Sequence, residues 1–395
     1  MAALRGINRG LGILRIGILA RLLTPDQFGV FGIGLLVLGF LEITTETGIN
    51  VFLIQEENLT SKYLNSAWVV SIIRGILISI LIIIAAPYLA GFFNSPKALR
   101  LLLLTSTIPL IRGLINPAQV KFQKNLQFNK LFIKDSFLFL IESIVAISVG
   151  IITASETALI WGMIVSALIE VVISFIIFKP RPRLAFEFRD LSRVVNRGKW
   201  VTAAGIFEYL FSNLDDVVVG KLLGTFSLGL YQNAYKISSV LVLETQRVFN
   251  TVTFPVYTSI STDIRRLKKA FFTTTSIIAL LIFPLGVVFI VFSKQLILIV
   301  LGENWLAANE VLKVLVIYGV IKAFTNSTYS LFLALKMQKI VSIITFITAL
   351  GLVLTIVPLV SRYGVMGAAM AAIFGTFCAL PPTLYYLRKV FVVRD

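Results

Sequence analysis

Apolar segments of about 20 residues recur along this chain, and only short connections separate them. A helix needs about 20 apolar residues to cross roughly 30 Å of hydrocarbon, and in lipid each such segment must satisfy its own backbone polar groups. The composition agrees, since 57% of the residues are hydrophobic, 14% are charged and the mean hydropathy is +0.93. Soluble domains do not have such values. The pattern therefore predicts an all-α polytopic membrane protein with about twelve transmembrane helices.

The predicted helices have similar lengths, and the first is the least apolar because it contains three arginines. They occupy residues 2–22, 29–53, 66–88, 99–119, 134–153, 158–178, 199–222, 229–258, 271–293, 307–334, 340–360 and 365–387.

The sixth and seventh helices are separated by a basic segment with two prolines, Lys-Pro-Arg-Pro-Arg, which cannot continue a helix. We therefore expect a six-helix bundle at 1–178, a cytoplasmic linker at 179–198 and a second six-helix bundle at 199–395. Within the linker, residues 190–197 have the composition of an amphipathic helix at an anionic membrane surface.

An internal repeat supports this division. Residues 20–31 (ARLLTPDQFGVF) resemble residues 220–231 (GKLLGTFSLGLY), a shift of 220 − 20 = 200. Residues 111–116 (IRGLIN) resemble residues 321–326 (IKAFTN), a shift of 321 − 111 = 210. Six helices per half give both halves the same orientation, so the repeat predicts two pseudo-symmetric bundles related by an axis along the membrane normal.

The formal net charge of +17 is explained by topology. Basic residues concentrate in alternate connections and at the C-terminal end, which is the positive-inside pattern and predicts that both termini and the linker are cytoplasmic. This placement argues against nucleic-acid binding. The clustered bases are Lys121, Lys124, Lys130, Lys179, Arg181, Arg183, Arg189, Arg193, Arg197, Arg265, Arg266, Lys268, Lys269, Arg388, Lys389 and Arg394.

The chain contains no histidine and one cysteine, Cys378. A disulfide within the chain, a histidine-based metal site and a Ser-His-Asp triad are therefore excluded. Carboxylate clusters with metal-ligand spacing are also absent from the sequence. We expect that the protein is not an enzyme and needs no resident cofactor.

Three segments resemble the polysaccharide transporter family, the Wzx-like flippases of O-antigen and related lipid-linked sugars. They are 19–29 (LARLLTPDQFG), 47–55 (TGINVFLIQ) and 213–231, which begins NLDDVVVGKLLG. The resemblance covers essentially the whole chain. It implies the two-bundle fold of the multidrug/oligosaccharidyl-lipid/polysaccharide exporter superfamily, as in multidrug (MATE) exporters and lipid II flippases.

Five basic residues fall inside predicted helices, where a charge costs about 2.5–3.5 kcal/mol and needs a reason. They are Arg15, Arg74, Arg112, Arg247 and Lys322. Arg112 and Lys322 occupy matching positions in the repeated segments 111–116 and 321–326. The pseudo-symmetry therefore predicts that these two side chains lie on opposite walls of one cavity. The resemblance implies a polyprenyl-diphosphate substrate, whose phosphates these donors would bind. Alternatively, the bases pair with carboxylates, Arg74 with Glu42 or Glu46 and Arg247 with Glu244.

An acidic group on the seventh helix is the candidate site for a coupling Na⁺ or H⁺. Its members are Glu208, Asn213, Asp215 and Asp216, and Asp215 fills the acidic place of the family motif. Glu208 and Asp215 are seven residues apart and share a helix face. The alternative is that Asp215 pairs with a base such as Lys221 or anchors the helix near the outer interface.

Together, the residues and the resemblance predict an inner-membrane flippase that moves polyprenyl-diphosphate-linked oligosaccharide by alternating access. A lipid II flippase and a cation-coupled multidrug exporter of the same fold remain alternatives. A membrane glycosyltransferase or polymerase is disfavoured because the outer loops are short. The expected partners are the lipid-linked oligosaccharide and membrane lipids, with polysaccharide polymerases and glycosyltransferases of the same pathway.

Overall fold

The structure is a computed structural model that describes residues 2–46, 48, 53–54, 61–185 and 188–392. Side chains are described for the same residues except 2–9, 61–62, 188–204, 241–252 and 392. The regular secondary structure of the described residues is helical, and these residues contain no strand.

Most of the described helices follow one another with connections of a few residues. They are α1 (Ala2–Leu22), α2 (Pro25–Thr44), α3 (Ser61–Phe92), α4 (Pro96–Thr105), α5 (Thr107–Gly113), α6 (Val120–Lys124), α7 (Phe128–Thr153), α8 (Thr157–Ile177), α9 (Phe188–Ser259), α10 (Ile264–Val291), α11 (Ser293–Val300), α12 (Asn309–Ala334), α13 (Gln338–Tyr363), α14 (Val365–Cys378) and α15 (Leu380–Val392), with 3₁₀ turns at Pro117–Gln119 and Glu303–Ala308.

Seven helical segments in the described part are long and apolar enough to cross a membrane, or eight if the bent pair Pro96–Gly113 and Pro117–Lys124 is one span. Their outer faces are apolar: α3 exposes Ile80 and Ile84 while it buries Ile78 and Ile82. An exposed apolar face of this kind is suited to lipid and not to water. The prediction of an all-helical polytopic membrane fold is therefore confirmed.

The segment α9 folds back on itself at Gly224. Its 72 residues would measure about 108 Å as one straight helix, far more than a bilayer can hold. Gly224 has φ +82° and ψ 178°, a conformation that only glycine adopts readily. The break lies between the predicted helices 199–222 and 229–258.

The chain divides into two compact units. Unit 1 comprises Met1–Asn213 and Gly224–Gly229, and unit 2 comprises Leu214–Leu223 and Leu230–Asp395. In unit 1, α7 packs along α8, and α3 packs against α4 and α5. In unit 2, α13 packs along α14, and α12 packs against α10 and α14. The division at a 179–198 linker stays a prediction.

The core of unit 2 lies where the ends of several helices meet. Tyr257 and Phe271 pack there with Phe332 and Phe391, all at most 4% exposed. Burying side chains of this size contributes roughly 1.5–3 kcal/mol each. This cluster fixes the ends of α9, α10 and α12 against α15.

Candidate functional site

Arg74 and Arg112 lie on neighbouring helices of unit 1 that approach each other unusually closely. Gly75 directly follows Arg74 in α3, and a Cβ atom there would overlap with the backbone carbonyl of Pro109 in α5. Gly113 directly follows Arg112, and a Cβ atom there would lie 2.8 Å from a backbone oxygen of α3. Small residues permit such contact between membrane helices. The sequence thus places each arginine beside the glycine that brings the two helices together.

Both arginines turn toward the C-terminal end of α2. Arg112 Nη1 donates to Glu42 Oε1 at 3.0 Å. Arg74 Nε donates to Thr45 Oγ1 at 3.1 Å, and its Nη2 reaches the backbone oxygen of Glu42 and, at 3.4 Å, Glu46 Oε2. The sequence-based alternative that Glu42 or Glu46 reaches Arg74 is therefore realised in the structure. The two bases and two carboxylates form one charged cluster, hereafter the α2–α3–α5 cluster.

The two arginines differ in how firmly they are held. Arg74 makes three kinds of contact and its side chain is 27% exposed, whereas Arg112 uses one nitrogen for Glu42 and is 41% exposed. A guanidinium carries five N–H donors, so Arg112 retains most of its hydrogen-bonding capacity. Arg112 is the better placed of the two to receive an anion.

Arg15 forms a separate pair in unit 1. Its Nη1 donates to Glu142 Oε1 at 2.6 Å, and its guanidinium lies 4.9 Å from the centre of the Phe139 ring. The Nε atom is buried and has no hydrogen-bond partner among the described residues. Arg15 thus links α1 to α7, and it does not join Arg74 and Arg112 at Glu42.

The break at Gly224 brings two parts of α9 that belong to unit 2 into contact with each other. Tyr231 donates its hydroxyl to Asp215 Oδ2 at 2.6 Å, and Gln232 Nε2 donates to Asp216 Oδ2 at 3.1 Å. The residues of each pair are 16 positions apart, which is about 24 Å along a straight helix. The acidic pair is therefore held by the reversal of the chain at Gly224.

Lys322 lies in the same part of unit 2. Its ammonium is 5.2 Å from the centre of the Tyr318 ring one helical turn earlier on α12. Tyr235 and Asp215 lie within range of its electrostatic influence, although among the described side chains no ion pair joins Lys322 to Asp215. One basic residue predicted for the substrate and one acidic residue predicted for coupling thus share a single cluster, hereafter the α9–α12 cluster.

The remaining predicted site residues are more dispersed. Glu208 is exposed, and Asn213 Nδ2 donates to the Tyr209 backbone oxygen one turn earlier. Arg247 lies on α9, but its side chain, like that of Glu244, is outside the described residues. Among the described side chains, no group of three or more His, Cys, Asp or Glu residues is arranged to hold a metal ion.

The 200-residue repeat relates two charged positions of opposite sign. Asp215 corresponds to Arg15, since 215 − 200 = 15, and Tyr231 corresponds to Phe31. The half with the acid carries the hydroxyl that hydrogen-bonds it, whereas the half with the base has a phenyl ring at that place. The duplicated halves have thus specialised at one position.

The sequence analysis missed a buried ion pair in unit 1. Lys134 is 7% exposed, and its Nζ lies 2.7 Å from Glu170 Oε1 and 3.1 Å from Gln119 Oε1. Both charged residues fall inside predicted helices, so the rule that singled out Arg74 could have found them. This pair ties α7 to α8.

Asn116, part of the second repeat block, is fully buried at the bend after α5. Its backbone N–H donates to Ser174 Oγ at 3.0 Å, its Nδ2 to the Phe178 oxygen at 3.2 Å, and its Oδ1 accepts from the Ala118 N–H at 2.9 Å. These bonds fasten the bend to the end of α8. Asn116 therefore fixes the position of the helix that carries Arg112.

Solved structures share this fold. The lipid II flippase MurJ in an inward closed conformation matches 99% of this chain and 88% of its own, with a TM-score of 0.74 and 17% identity. An inward-facing multidrug resistance MATE family transporter of the MOP superfamily matches 96% of this chain and 94% of its own, with a TM-score of 0.71 and 14% identity. At such identities the likeness shows the fold.

The sequence defines the family more closely. Residues 18–310 match the family model described as "Polysaccharide biosynthesis protein". The chain belongs to this family, which confirms the predicted resemblance. The helices that are long and apolar enough to cross a membrane make it a multi-pass membrane protein of this family.

Individual relatives share about a quarter of their residues with this chain. The teichuronic acid biosynthesis protein TuaB of Bacillus subtilis is 26% identical over 75% of this chain and 62% of its own length. The lipopolysaccharide biosynthesis protein WzxC of Escherichia coli is 24% identical over 82% of this chain and 66% of its own. The probable low-salt glycan biosynthesis flippase Agl15 of Haloferax volcanii is 24% identical over 92% and 76%. The chain thus spans less than two thirds of the length of TuaB and WzxC.

Proposed function

We propose that the protein is a flippase that moves a polyprenyl-diphosphate-linked oligosaccharide across the cytoplasmic membrane by alternating access. The observation that carries the proposal is the α2–α3–α5 cluster, which keeps two guanidinium groups among apolar helices. The family match and the printed function of Agl15 as a probable glycan flippase support it. The proposed architecture is about twelve transmembrane helices in two pseudo-symmetric six-helix bundles, with both termini in the cytoplasm.

In this proposal Arg112 is the principal contact for the diphosphate. A guanidinium in a membrane needs a counter-ion, and Glu42 provides one at 3.0 Å before substrate arrives. A phosphate can replace this single carboxylate contact with forked, charge-assisted hydrogen bonds. The exchange keeps Arg112 paired with an anion before and after the substrate binds. Arg74, held by the end of α2, positions Glu42 and supplies further positive potential.

The other predicted bases would contact the headgroup along its route across the membrane. Arg15, Arg247 and Lys322 would contact the anionic headgroup as it moves, while the prenyl chain stays in the lipid. Asp215 and Asp216, with Glu208 and Asn213, would bind the coupling Na⁺ or take up H⁺ and so favour return to the inward state. Polysaccharide polymerases and glycosyltransferases would act on the substrate before and after transfer.

A transport assay with three cargoes tests the proposal. Purified protein is placed in liposomes with a short polyprenyl-diphosphate oligosaccharide, with lipid II, or with a cationic dye, and a Na⁺ or H⁺ gradient is applied. A membrane-impermeant reagent reports which leaflet holds each headgroup. We expect protein-dependent flipping of the oligosaccharide lipid. Movement of the dye alone would favour a drug exporter, and preference for lipid II would assign that substrate instead.

A further inference from the structure

Two basic segments of unit 1 that are far apart in the sequence lie side by side at one end of the unit. Residues 117–130 and 178–185 contain three bases each and no carboxylate. Lys121 Nζ in the first segment donates to the Lys179 backbone oxygen in the second at 2.8 Å. The six bases therefore share one surface, hereafter the basic face of unit 1: Lys121, Lys124, Lys130, Lys179, Arg181 and Arg183.

Further contacts hold the two segments in place through aromatic rings and backbone groups. Phe122 and Phe178 pack edge to face with ring centres 4.6 Å apart, and the Lys130 ammonium lies 5.6 Å from the centre of the Phe122 ring. The Arg183 backbone N–H donates to Asn65 Oδ1 at 2.8 Å. Arg183 is exposed, and this bond uses its backbone only, so its guanidinium remains able to bind an anion.

An exposed apolar stripe along α7 leads directly to the basic face. Its members lie on one side of the helix because they are three, four and seven positions apart. Lys130 begins the stripe, and the exposed side chains of Ile133, Phe137 and Ile144 continue it. From Lys130 to Ile144 the stripe measures about 21 Å, longer than the roughly 15 Å of one hydrocarbon leaflet. The stripe therefore offers a charged end to a headgroup and an apolar surface to an acyl chain.

Unit 2 contains the equivalent helix end, which allows a comparison within the chain. The helices α7 and α13 both have 26 residues and begin at 128 and 338, a shift of 338 − 128 = 210. The residue two positions before each helix has a positive φ, 54° at Leu126 and 60° at Lys336. The repeat therefore extends over this region with the shift that relates residues 111–116 to 321–326.

At this helix end, unit 2 is apolar where unit 1 is basic. Leu331 and Ala334 are buried in unit 2, and the repeat equates them with Lys121 and Lys124, since 331 − 210 = 121 and 334 − 210 = 124. Unit 2 carries its exposed bases at other positions, such as Lys268. The positive-inside pattern therefore does not require a base at either place. The lysines point to a role that is specific to unit 1.

We propose that the basic face of unit 1 binds an anionic phospholipid of the surrounding membrane. The lipid phosphate would contact Lys130, Lys179 and Arg183, and an acyl chain would lie along the exposed stripe of α7. Arginine presents forked donors that match phosphate oxygens, and lysine adds a mobile point charge. A phospholipid engages the basic face and the apolar stripe together, which a free anion does not. The site goes beyond the proposed function, since none of its bases belongs to the α2–α3–α5 cluster.

Lipid binding to the purified full chain tests this site without any transport. The protein is held in phosphatidylcholine–detergent micelles, phosphatidylglycerol is added in steps, and the shift of the thermal unfolding midpoint reports binding. Glycerol 3-phosphate, which carries a phosphate without acyl chains, is the free-anion probe. We expect phosphatidylglycerol to raise the midpoint until the site is saturated and glycerol 3-phosphate to have little effect. An equal response to glycerol 3-phosphate would overturn the assignment to a lipid.

Removing three exposed bases should weaken the response to phosphatidylglycerol. Each base near an anionic membrane surface strengthens binding about fivefold. We therefore expect Lys130→Gln/Lys179→Gln/Arg183→Gln to need at least about tenfold more phosphatidylglycerol for half of the shift. Without this lipid the variant should unfold at the wild-type midpoint, because all three residues are exposed.

A matched control removes three exposed bases of unit 2, which changes the net charge equally: Arg265→Gln/Lys268→Gln/Lys339→Gln. We expect the control to respond as the wild type does. An equal loss in both variants would mean attraction by overall charge, and an unchanged response in the unit 1 variant would mean that the lipid binds elsewhere. Displacement of phosphatidylglycerol by a smaller amount of polyprenyl diphosphate would assign the face to the transported lipid. Each of these three results would overturn the site and leave the flipping assay of the proposed function unaffected.

Discussion

The buried ammonium of Lys134 shows how one side chain can control the stability of unit 1. Its partner Glu170 lies 2.7 Å away on the next helix, and Lys134 is 7% exposed. Removing one member of a buried pair leaves an uncompensated charge, which typically costs 3–5 kcal/mol. Glu170 is still 21% exposed, so water would partly solvate its unpaired carboxylate. We therefore expect Lys134→Met to lower the free energy of unfolding by about 3 kcal/mol, the lower end of this range, measured in mixed detergent micelles.

Two further variants separate the pair from its individual charges. Lys134→Met/Glu170→Leu removes both charges and should recover most of the loss, and Lys130→Met, at an exposed position nearby, should change little. If the single variant were as stable as the double variant, the ion pair would not be the cause.

At the residue scale, the sequence singled out candidate side chains but only some of their partners. Charges in apolar segments are rare, which is why Arg74, Arg112 and Asp215 stand out as candidates. The sequence suggested Glu42 or Glu46 as partners of Arg74, but it gave no partner for Arg112, which the Glu42 carboxylate bonds in the structure while its backbone oxygen bonds Arg74. The role of Tyr231 depends on a chain reversal and has no local signal.

The reversal within α9 depends on Gly224. Its φ of +82° with ψ of 178° costs other residues about 1–3 kcal/mol, and a straightened helix would separate Asp215 from Tyr231. We expect Gly224→Ala to destabilise the protein by about 2 kcal/mol. Thermal unfolding in detergent measures the effect, and an unchanged unfolding midpoint would contradict the strained geometry.

The repeated segments 20–31 and 220–231 each contain a glycine that lies at a reciprocal close contact within unit 1. A Cβ atom on Gly29 would overlap with the backbone oxygen of Thr225, and one on Gly229 would overlap with that of Pro25. Positions 25 and 29 are thus related to 225 and 229 by the repeat itself, since 225 − 25 = 200. The Thr225 hydroxyl also hydrogen-bonds Asp26. The repeat is therefore explained by close packing between two equivalent helix starts.

Alanine at either glycine should force these helix starts apart. We expect Gly29→Ala and Gly229→Ala each to lower the free energy of unfolding by about 2 kcal/mol, and the double variant by less than the sum, because both changes act on one contact. Gly91→Ala is the matched control, since no other atom lies within 4 Å of a Cβ atom there. A Gly29→Ala protein as stable as Gly91→Ala would refute the close contact.

At the element scale, apolar periodicity located the helices well and their interruptions less well. The break near Gly224 falls in the predicted gap between 222 and 229, because the apolar run itself stops there. The predicted helix 99–119, in contrast, ends its helical path at Gly113 and turns by 68° before Pro117. That bend depends on the bonds from Asn116 to the end of α8, which are distant in sequence and invisible to periodicity.

At the scale of the whole molecule, the internal repeat combines similarity with divergence. The reciprocal glycine contact involves equivalent positions of the two copies, whereas Arg15 and Asp215 carry opposite charges at equivalent positions. The proposed transporter, with separate anion and cation sites, needs such an asymmetry, because identical halves would bind identical ligands. The sugar and the coupling ion were beyond prediction, since they depend on side chains whose spatial neighbours the sequence does not specify.

The proposed transport depends most on the step in which Arg112 exchanges Glu42 for the diphosphate of the substrate. The most direct measurement is the initial rate of oligosaccharide-lipid flipping in liposomes by wild type, Arg112→Gln and the exposed control Arg100→Gln, with matched unfolding midpoints. Charge-assisted hydrogen bonds of 1.5–3 kcal/mol predict a loss of at least about tenfold for Arg112→Gln and little change for Arg100→Gln. A folded Arg112→Gln protein that flips at the wild-type rate would contradict the account.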